Sequence, residues 1–295
     1  MSDVYHIPAM LKETIAGLAV KPDGVYVDVT FGGGGHSRAI LDAGAGQLYS
    51  FDQDIEAYQN AIDDPRWQFV HGNFRFLANF MDYLGVTEID GLIADLGVSF
   101  HHFDEAERGF SFRFAGPLDM RMNRQAKKTA ADIVNEYSEE DLVRVLALYG
   151  ELKNARQIAR KLIAARPVNT TEALVKALGG EDLEPWKKKE LTCVFQALRI
   201  EVNDELGALR EMLVAARELL KSGGRIAVLT YHSLEDRIVK NFLRSGNLEG
   251  EIHKDFYGNA LTPFRLIEKG ITASEEEVER NPRARSAKLR VAEKM

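Results

Sequence analysis

The sequence contains little cysteine and no long apolar run, and both shortages limit where the protein can work. Cys193 is the only cysteine, so no disulfide can form within the chain and a reducing cytoplasm is the natural compartment. No apolar run reaches the ~18 residues of a membrane-spanning helix, and the N-terminus carries no signal-peptide pattern. We therefore expect a cytoplasmic protein with no membrane partner.

Several catalytic motifs are also missing. The sequence has neither the His-Glu-x-x-His spacing of zinc hydrolases nor a Gly-x-Ser-x-Gly elbow, and His101 and His102 with Asp104 form only a weak cluster. His36 stands where a P-loop needs a lysine to meet nucleotide phosphates. These absences argue against a metal centre, a serine hydrolase and a nucleotide triphosphatase.

The overall composition is that of a globular protein of 295 residues, with 45% hydrophobic residues and a net charge of −7. This length allows one large domain or two smaller ones. A negative balance is unusual for a nucleic-acid binder, but phosphate contacts need only a local positive face. Net charge alone therefore does not exclude an RNA partner.

The first hundred residues alternate between strand and helix patterns, which predicts an α/β fold with a parallel sheet. Strands are predicted at Val25–Val29, Leu48–Phe51, Trp67–Val70 and Leu92–Ala94, and helices at Arg38–Ala43, Ile55–Ala61 and Phe76–Leu84. Helical spacing alone then predicts Ala130–Tyr149, Asn154–Ala165, Thr170–Leu178 and Trp186–Val202. The mixed pattern returns with a helix at Leu206–Leu220, a strand at Arg225–Thr230, a helix at Leu234–Leu243 and a strand pair, Phe264–Ile267 with Leu289–Ala292.

This order of patterns indicates one α/β domain, residues 1–104 and 205–295, interrupted by a helical insertion, residues 105–204. The insertion follows the fourth strand, so we expect it to lie over the carboxyl ends of the strands. Open α/β sheets bind ligands at that edge. The insertion is therefore expected to shape a substrate cleft.

The glycine run Gly32–Gly35 between a strand and a helix is the strongest functional signal. Asp28 precedes it, and Asp52 and Asp54 follow the second strand, where an acid can accept hydrogen bonds from ribose hydroxyls. A glycine turn and a ribose-binding acid suit S-adenosylmethionine best. A dinucleotide site fits less well because Ser37 stands where glycine or alanine is expected. The alternative is a turn that only packs helix against strand.

Asp95 is the candidate catalytic residue because it ends the fourth predicted strand, at the same edge as the glycine turn. A carboxylate there can accept a hydrogen bond from an amino group of the cofactor or of an incoming base. The alternative is an aspartate that caps a loop.

Two local basic stretches are candidate RNA contacts. Residues 108–128 contain six basic residues and one acid, and residues 280–290 contain five cations and no acid. Cations bind phosphates and aromatic faces stack on unpaired bases. The candidates are Arg108, Phe110, Arg113, Arg283 and Arg285. The alternatives are that the phenylalanines of the first stretch belong to the core and that the second stretch is a solvated surface.

His232 and Ser233 follow a predicted strand, but adjacent His and Ser residues seldom form a catalytic hydrogen bond. We expect Ser233 to cap the next helix together with Asp236, and His232 to point into the cleft as a further RNA contact.

Ordered segments along nearly the whole chain resemble the RsmH (MraW) family. They are His6-Ile7-Pro8 with Glu13, Asp28–Ser37, His71–Phe74, Asp95–Ser99, Arg108–Phe112, Pro117–Met122, Tyr149–Glu151, Phe195–Ile200 with Val202-Asn203, His232–Arg237 and Asn281–Ser286. Members are S-adenosylmethionine-dependent methyltransferases that act on the N4 amine of a cytidine in small-subunit (16S) ribosomal RNA. The resemblance implies a Rossmann-like class I methyltransferase sheet with an inserted all-helical domain.

The resemblance also implies which residues bind the cofactor: Gly34, Gly35, His36, Asp52, Phe74, Asp95 and His102. His102 departs from the family, which has Gln there. The family's His-Pro-Ala-x-Arg segment before Phe-Gln-Ala is likewise replaced, by Glu190–Val194.

The expected chemistry is a direct in-line methyl transfer to an exocyclic amine, with Asp95 as a candidate proton acceptor. Methylation at cytosine C5 would instead need a thiolate, and Cys193 lies outside any methyltransferase motif. Two alternatives remain open: an NAD-dependent oxidoreductase that uses the same crevice, and a non-catalytic RNA-binding assembly factor. The sequence also leaves monomer and homodimer open.

Overall fold

The computed structural model describes residues 8–97, 105–179 and 185–295, so the predicted contact of His102 lies outside the described residues. The chain divides into two compact units. The first consists of the residues up to Gly97 together with Leu206–Met295, and the second consists of the residues between them.

The first unit is built on one sheet. Its strands in the described part of the chain are β1 (Val25–Asp28), β2 (Gln47–Asp52), β3 (Trp67–His71), β4 (Ile89–Asp95), β5 (Leu220–Thr230), β6 (Phe264–Thr272) and β7 (Lys288–Lys294). Their order is β3-β2-β1-β4-β5-β7-β6. Strands β1 to β5 are parallel, and β7 runs antiparallel to both its neighbours.

The helices of the described residues are α1 (Leu11–Leu18), α2 (Gly35–Asp42), α3 (Leu77–Tyr83), α4 (Ala130–Glu136), α5 (Glu139–Tyr149), α6 (Ala155–Ala164), α7 (Thr171–Ala177), α8 (Pro185–Asn203), α9 (Glu205–Leu219), α10 (Ser233–Ser245) and α11 (Glu275–Arg280). Short 3-10 helices occupy Ile55–Asn60, Phe74–Phe76, Ala106–Arg108 and Pro282–Ser286. None of the helices so described has both the length and the apolar character needed to cross a membrane.

The sheet is buried on both faces because its strands are apolar at successive positions. Val27 and Leu92 face a cluster that includes side chains of α3, α9 and α10, whereas Tyr26 and Ile93 face a cluster with α1 and α2. Alternate residues of a strand point to opposite faces, so each strand contributes to both clusters. A mainly parallel sheet covered by helices on both faces confirms the predicted Rossmann-like class I methyltransferase fold.

The second unit contains α4 to α8 and has an apolar core of its own, which includes Leu146, Ile158, Leu162 and Leu198. These helices lie in the chain between β4 and β5, and they are the inserted all-helical part that the sequence predicts.

Two predicted helices differ from the structure. The segment Ala130–Tyr149 forms two helices, because Tyr137 is extended and the Ser138 hydroxyl begins α5 by accepting the backbone N–H of Asp141. Residues Ile55–Asn60 form a 3-10 helix, which begins where Asp54 accepts the backbone N–H of Glu56 at 3.0 Å.

Candidate functional site

The turn after β1 is held in place by Asp28. One carboxylate oxygen accepts the backbone N–H of Thr30 at 3.0 Å, and the other accepts the Ser37 hydroxyl at 2.7 Å. Asp28 is 1% exposed, so both bonds are shielded from water. The residue that the sequence places beside the ligand therefore fixes the two ends of the glycine turn.

The glycines of this turn serve different purposes. Gly32 and Gly34 have φ values of 49° and 73°, which side chains disfavour. A Cβ on Gly34 would lie 2.9 Å from the Phe31 ring, and one on Gly35 would lie 2.8 Å from Pro8. Among the described residues, a Cβ on Gly32 would meet only the Thr30 carbonyl, at 4.0 Å. The space beside the Gly32 Cα is therefore open to a ligand, although its N–H donates to Asp52 and its carbonyl accepts the Asn60 amide at 3.1 Å, whereas Gly34 and Gly35 are packed by protein.

Asp52 lies beside this open space at the end of β2. Its carboxylate accepts the N–H of Gly32 and the N–H of Asp54, each at 2.9 Å. Each oxygen accepts one backbone donor and retains a lone pair. Burial raises the pKa of Asp52 to about 6 despite these bonds. The remaining lone pairs can accept a pair of hydroxyl groups.

Asp95 lies at the end of β4, on the other side of β1. The Tyr231 hydroxyl donates to Asp95 Oδ1 at 2.6 Å, and the His36 Nδ1 atom lies 3.7 Å from Oδ2. The backbone N–H of Asp95 donates to the Thr30 hydroxyl oxygen at 2.7 Å. Burial raises the pKa of Asp95 to about 7, and the hydrogen bond from Tyr231 opposes that rise.

His36 and Tyr231 are both uncharged near neutral pH. Burial lowers the pKa of His36, and burial together with Asp95 raises the pKa of Tyr231 well above its ordinary value. The His36 Nε2 atom is 3.2 Å from the Ala9 carbonyl oxygen, so this ring also ties the turn to the segment before α1. Asp95 therefore faces a permanent hydroxyl donor and a neutral imidazole.

Phe74 follows β3 in the 3-10 helix Phe74–Phe76 and is half-buried. Asn73 precedes it and donates to the Gln53 side chain at 2.9 Å, which links the end of β3 to the end of β2. The structure thus brings Gly34, Gly35, His36, Asp52, Phe74 and Asp95 to the carboxyl edge of β1 to β4.

Two of the predicted RNA contacts, Arg108 and Phe110, are buried rather than exposed. Arg108 is 2% exposed, and its guanidinium donates to the carbonyls of Arg121 and Met122, each at 3.1 Å. Phe110 is 4% exposed and belongs to the core of the second unit. In this structure both side chains pack inside the helical unit, and their burial does not support the prediction that they contact RNA.

The structure also corrects the interpretation of the segment after β5. His232, not Ser233, is the N-cap of α10, since its ring accepts the backbone N–H of Glu235 and the Glu235 carboxylate accepts in return. This capping box holds the imidazole, whose side chain is only 10% exposed. The sequence prediction that His232 points towards RNA is therefore not supported by its position.

The remaining predicted RNA contacts are exposed. Arg113 lies on the surface of the second unit, and Arg283 and Arg285 lie on the surface of the first. Lys288 and Arg290, from the same basic stretch, form ion pairs with Asp236 at 3.2 and 2.7 Å. Arg283 and Arg285 stay candidates because both side chains are exposed.

Tyr231 and Thr30 are site residues that the sequence reasoning missed. Strand β5 pairs in parallel with β4, and Leu229 is opposite Asp95. Tyr231 therefore leaves the sheet at the same edge, two residues further on. The sequence signal that could have identified Tyr231 is its position as a polar residue directly after the predicted strand that became β5.

Comparison with known proteins adds independent findings. The sequence model of the MraW methylase family matches residues 3–295. A protein of Parabacteroides distasonis named "Ribosomal RNA small subunit methyltransferase H" is 58% identical, over 99% of this chain and 98% of its own length. Proteins with the same name from Phocaeicola vulgatus and Porphyromonas gingivalis are each 55% identical, over 99% of this chain and 98% and 97% of their lengths.

Proposed function

Because the chain belongs to the MraW methylase family, we propose that it transfers a methyl group from S-adenosylmethionine to the N4 amine of a cytidine in 16S ribosomal RNA. The structural observation that carries the proposal is the position of Asp52 and Asp95. They end the strands on either side of β1, next to the glycine turn. A ribose-binding acid and a proton-accepting acid at one sheet edge suit this reaction.

The residues present fit the proposed cofactor. The open space beside the Gly32 Cα lets a ligand approach closely, and the Asp52 carboxylate next to it retains lone pairs for the two ribose hydroxyls. The side of Phe74 offers an apolar contact. Protein packs the Cβ positions of Gly34 and Gly35 and contacts the His36 ring, and both backbone polar groups of Gly34 already have partners in Phe31 and Arg38. We therefore assign the contribution of Gly35 and His36 to the backbone at the start of α2, and that of Gly34 to the shape of the turn. Bound S-adenosylmethionine supplies an electrophilic methyl group on a sulfonium.

Asp95 has the properties that amine methylation requires. The N4 lone pair of cytosine is delocalised into the ring, so the amine attacks poorly unless its N–H groups are held by acceptors. The Asp95 carboxylate can hold one N–H group and take up the proton that the amine must lose. Its pKa of about 7 is suited to exchange of a proton at neutral pH. Positioning of the amine supplies much of the remaining acceleration.

Cys193 is a poor candidate for the alternative attack at cytosine C5. Burial raises the pKa of its thiol, so the thiolate that such attack requires is disfavoured. Family membership likewise favours methyl transfer over the nicotinamide oxidoreductase and over a non-catalytic assembly factor.

The two units suggest a division of labour. We assign cofactor binding and chemistry to residues 1–104 and 205–295, and substrate recognition to residues 105–204. The partner that this assignment implies is 16S ribosomal RNA, and the cytoplasm is the compartment where that RNA is available.

The Tyr231 hydroxyl should set the pH at which Asp95 works. Tyr231→Phe removes a hydrogen bond that lowers the pKa of Asp95, so that pKa should rise by about one unit. The Asp95 carboxyl is also faced by His36, Asp28 and Glu235, and these three groups are unchanged in the variant. Single-turnover rates measured against pH should show the rising limb displaced to higher pH, with recovery in alkaline buffer. A rate that is equally low at all pH values would mean that Tyr231 is only structural.

Arg283 and Arg285 should contribute to the salt dependence of RNA binding. Each phosphate contact with a single strand adds about −0.7 to the slope of log affinity against log salt, so replacing both with alanine should flatten the slope by about 1.4. Binding of 16S RNA fragments at several salt concentrations measures this. The control exchanges Lys12 and Lys240, which are exposed on α1 and α10. Equal slopes in both double variants would make the C-terminal stretch a solvated surface.

Methyl transfer in vitro tests the proposal directly. The purified protein is incubated with methyl-labelled S-adenosylmethionine and either small ribosomal subunits or their free RNA, and the RNA is digested to nucleosides. We expect label in N4-methylcytidine. Label in C5-methylcytidine, or NAD binding without methyl transfer, would refute the proposal.

A further inference from the structure

Trp67 begins β3 and packs against the residue that opens the glycine turn, although the proposed mechanism does not use it. The centre of its ring is 5.2 Å from that of the Phe31 ring, with 36° between the two planes. The Phe31 ring in turn occupies the space into which a Cβ on Gly34 would project, at 2.9 Å. The Trp67 ring therefore supports the turn through the Phe31 ring.

The indole N–H of Trp67 reaches the same turn by a second route. It donates to the Ser50 hydroxyl at 3.0 Å, and the hydroxyl oxygens of Ser50 and Ser37 are 2.8 Å apart. Ser37 donates to Asp28 at 2.7 Å, and Asp28 also accepts the Thr30 N–H. These bonds form a chain from β3 through β2 and the first turn of α2 to the end of β1.

The hydrogen bonds of this chain all run in one direction. An indole nitrogen can only donate, and a serine hydroxyl has one proton. Ser37 donates its proton to Asp28, so Ser50 donates to Ser37, and the Ser50 oxygen accepts from Trp67. Every donor therefore points towards the Asp28 carboxylate. Hydrogen bonds aligned in this way polarise and strengthen one another in surroundings that exclude water.

Burial makes the loss of any link in the chain unfavourable. Ser37 and Ser50 are fully buried and Asp28 is 1% exposed, so water does not replace a missing partner. Asp28 fixes Thr30 and Ser37, and the Thr30 hydroxyl accepts the N–H of Asp95 at 2.7 Å. The chain that starts at Trp67 thus ends on the residues that flank the glycine turn.

We infer that Trp67 is a positioning residue for S-adenosylmethionine, because its ring and its N–H hold the glycine turn in the conformation that binds the cofactor. This inference rests on the proposed function, which supplies the cofactor. It requires no contact between Trp67 and the ligand. Ser50 shares the role, since its hydroxyl joins the indole to Ser37.

The test compares Trp67→Phe, Ser50→Ala and the double variant in calorimetric titrations with S-adenosylmethionine. Trp67→Phe keeps a ring against Phe31 and deletes the N–H, whereas Ser50→Ala breaks the chain and leaves the indole in place. Each should weaken binding about three- to tenfold, the range expected for one buried hydrogen bond. The double variant should bind no more weakly than Trp67→Phe alone, because both changes break the same chain. Losses that multiply in the double variant would overturn the inference.

Methyl-transfer rates separate positioning from general damage to the fold. At limiting S-adenosylmethionine the rates of Trp67→Phe and Ser50→Ala should fall with their affinities, and at saturating cofactor most of the rate should return. Two controls make the same substitutions elsewhere. Ser245→Ala removes a buried hydroxyl from α10, and Trp186→Phe changes the other tryptophan of the chain, which is 62% exposed. A loss of cofactor affinity in Ser245→Ala equal to that in Ser50→Ala would reduce the effect to lost stability and overturn the inference.

The same measurements distinguish failure of this inference from failure of the proposed function. If the wild type methylates 16S RNA, and Trp67→Phe and Ser50→Ala bind the cofactor like wild type, the inference fails and the proposed function stands. If the wild type binds S-adenosylmethionine more tightly than both variants but methylates no RNA, the proposed function fails and the inference stands. If the wild type does not bind S-adenosylmethionine, both fail.

Discussion

Replacing Asp95 with alanine should lower the rate of methyl transfer by about 10²- to 10⁴-fold, the range of general base catalysis. The variant loses the proposed proton acceptor and also leaves the Tyr231 hydroxyl without its partner at 2.6 Å. Asp95→Asn should lose somewhat less, because the amide oxygen still accepts one hydrogen bond. Single-turnover rates at saturating S-adenosylmethionine measure the effect.

The pH dependence of the wild-type rate provides a second check on Asp95. In the proposed mechanism the carboxylate form of Asp95 acts as the base, and burial raises its pKa to about 7. Below that pH the group is protonated and the rate should fall, whereas above it the rate should level off. Asp82→Ala, an exposed position on α3, is the control. A wild-type rate in Asp95→Ala at saturating cofactor would leave Asp95 with no catalytic part.

Replacing Asp52 with alanine should weaken S-adenosylmethionine binding at least tenfold. Hydrogen bonds to a charged group contribute about 1.5–3 kcal/mol each, and two ribose hydroxyls would lose their acceptor. The N–H groups of Gly32 and Asp54 would lose theirs as well, so the turn itself would loosen. Asp52→Asn preserves the shape of the side chain and one hydrogen-bond acceptor. Its affinity for S-adenosylmethionine should therefore lie between those of the wild type and Asp52→Ala. Calorimetric titration of each folded variant measures the loss.

Cofactor affinity should also depend on pH through Asp52. Burial raises its pKa to about 6, so the carboxyl becomes protonated as the pH falls through that value. A protonated carboxyl is a weaker acceptor, and affinity should therefore fall on the acid side. Asp63→Ala, exposed in the connection between β2 and β3, controls for charge. Unchanged affinity in Asp52→Ala would remove Asp52 from the site.

The residues at strand ends were predictable because parallel strands place their carboxyl ends at one edge. Asp28, Asp52 and Asp95 each end a short apolar run, and the glycine turn marks where the first run ends. The local sequence pattern is therefore sufficient to predict residues at the ends of such strands. The break between α4 and α5 also has a signal in the sequence, because Ser138 and Asp141 have the spacing of a helix cap. Helical periodicity continues across this break, so the sequence analysis predicted one helix instead of two.

Contacts between distant segments were not predictable from the sequence. The bond from Tyr231 to Asp95 joins residues 136 positions apart. Arg108 looks like a surface cation, and only the carbonyls of Arg121 and Met122 explain its burial. Lys288 and Arg290 likewise look available until their pairing with Asp236 is known. Charge in a sequence shows that a cation exists, and only the fold shows whether another group already neutralises it.

The most direct test of the central claim is a map of modified bases in 16S ribosomal RNA from cells that lack this protein. The RNA is compared with that of cells complemented with the wild-type protein or with Asp95→Ala. We predict that a cytidine loses its N4 methyl group in the deletion, regains it with the wild type and does not regain it with Asp95→Ala. An identical modification map in all strains would contradict the account.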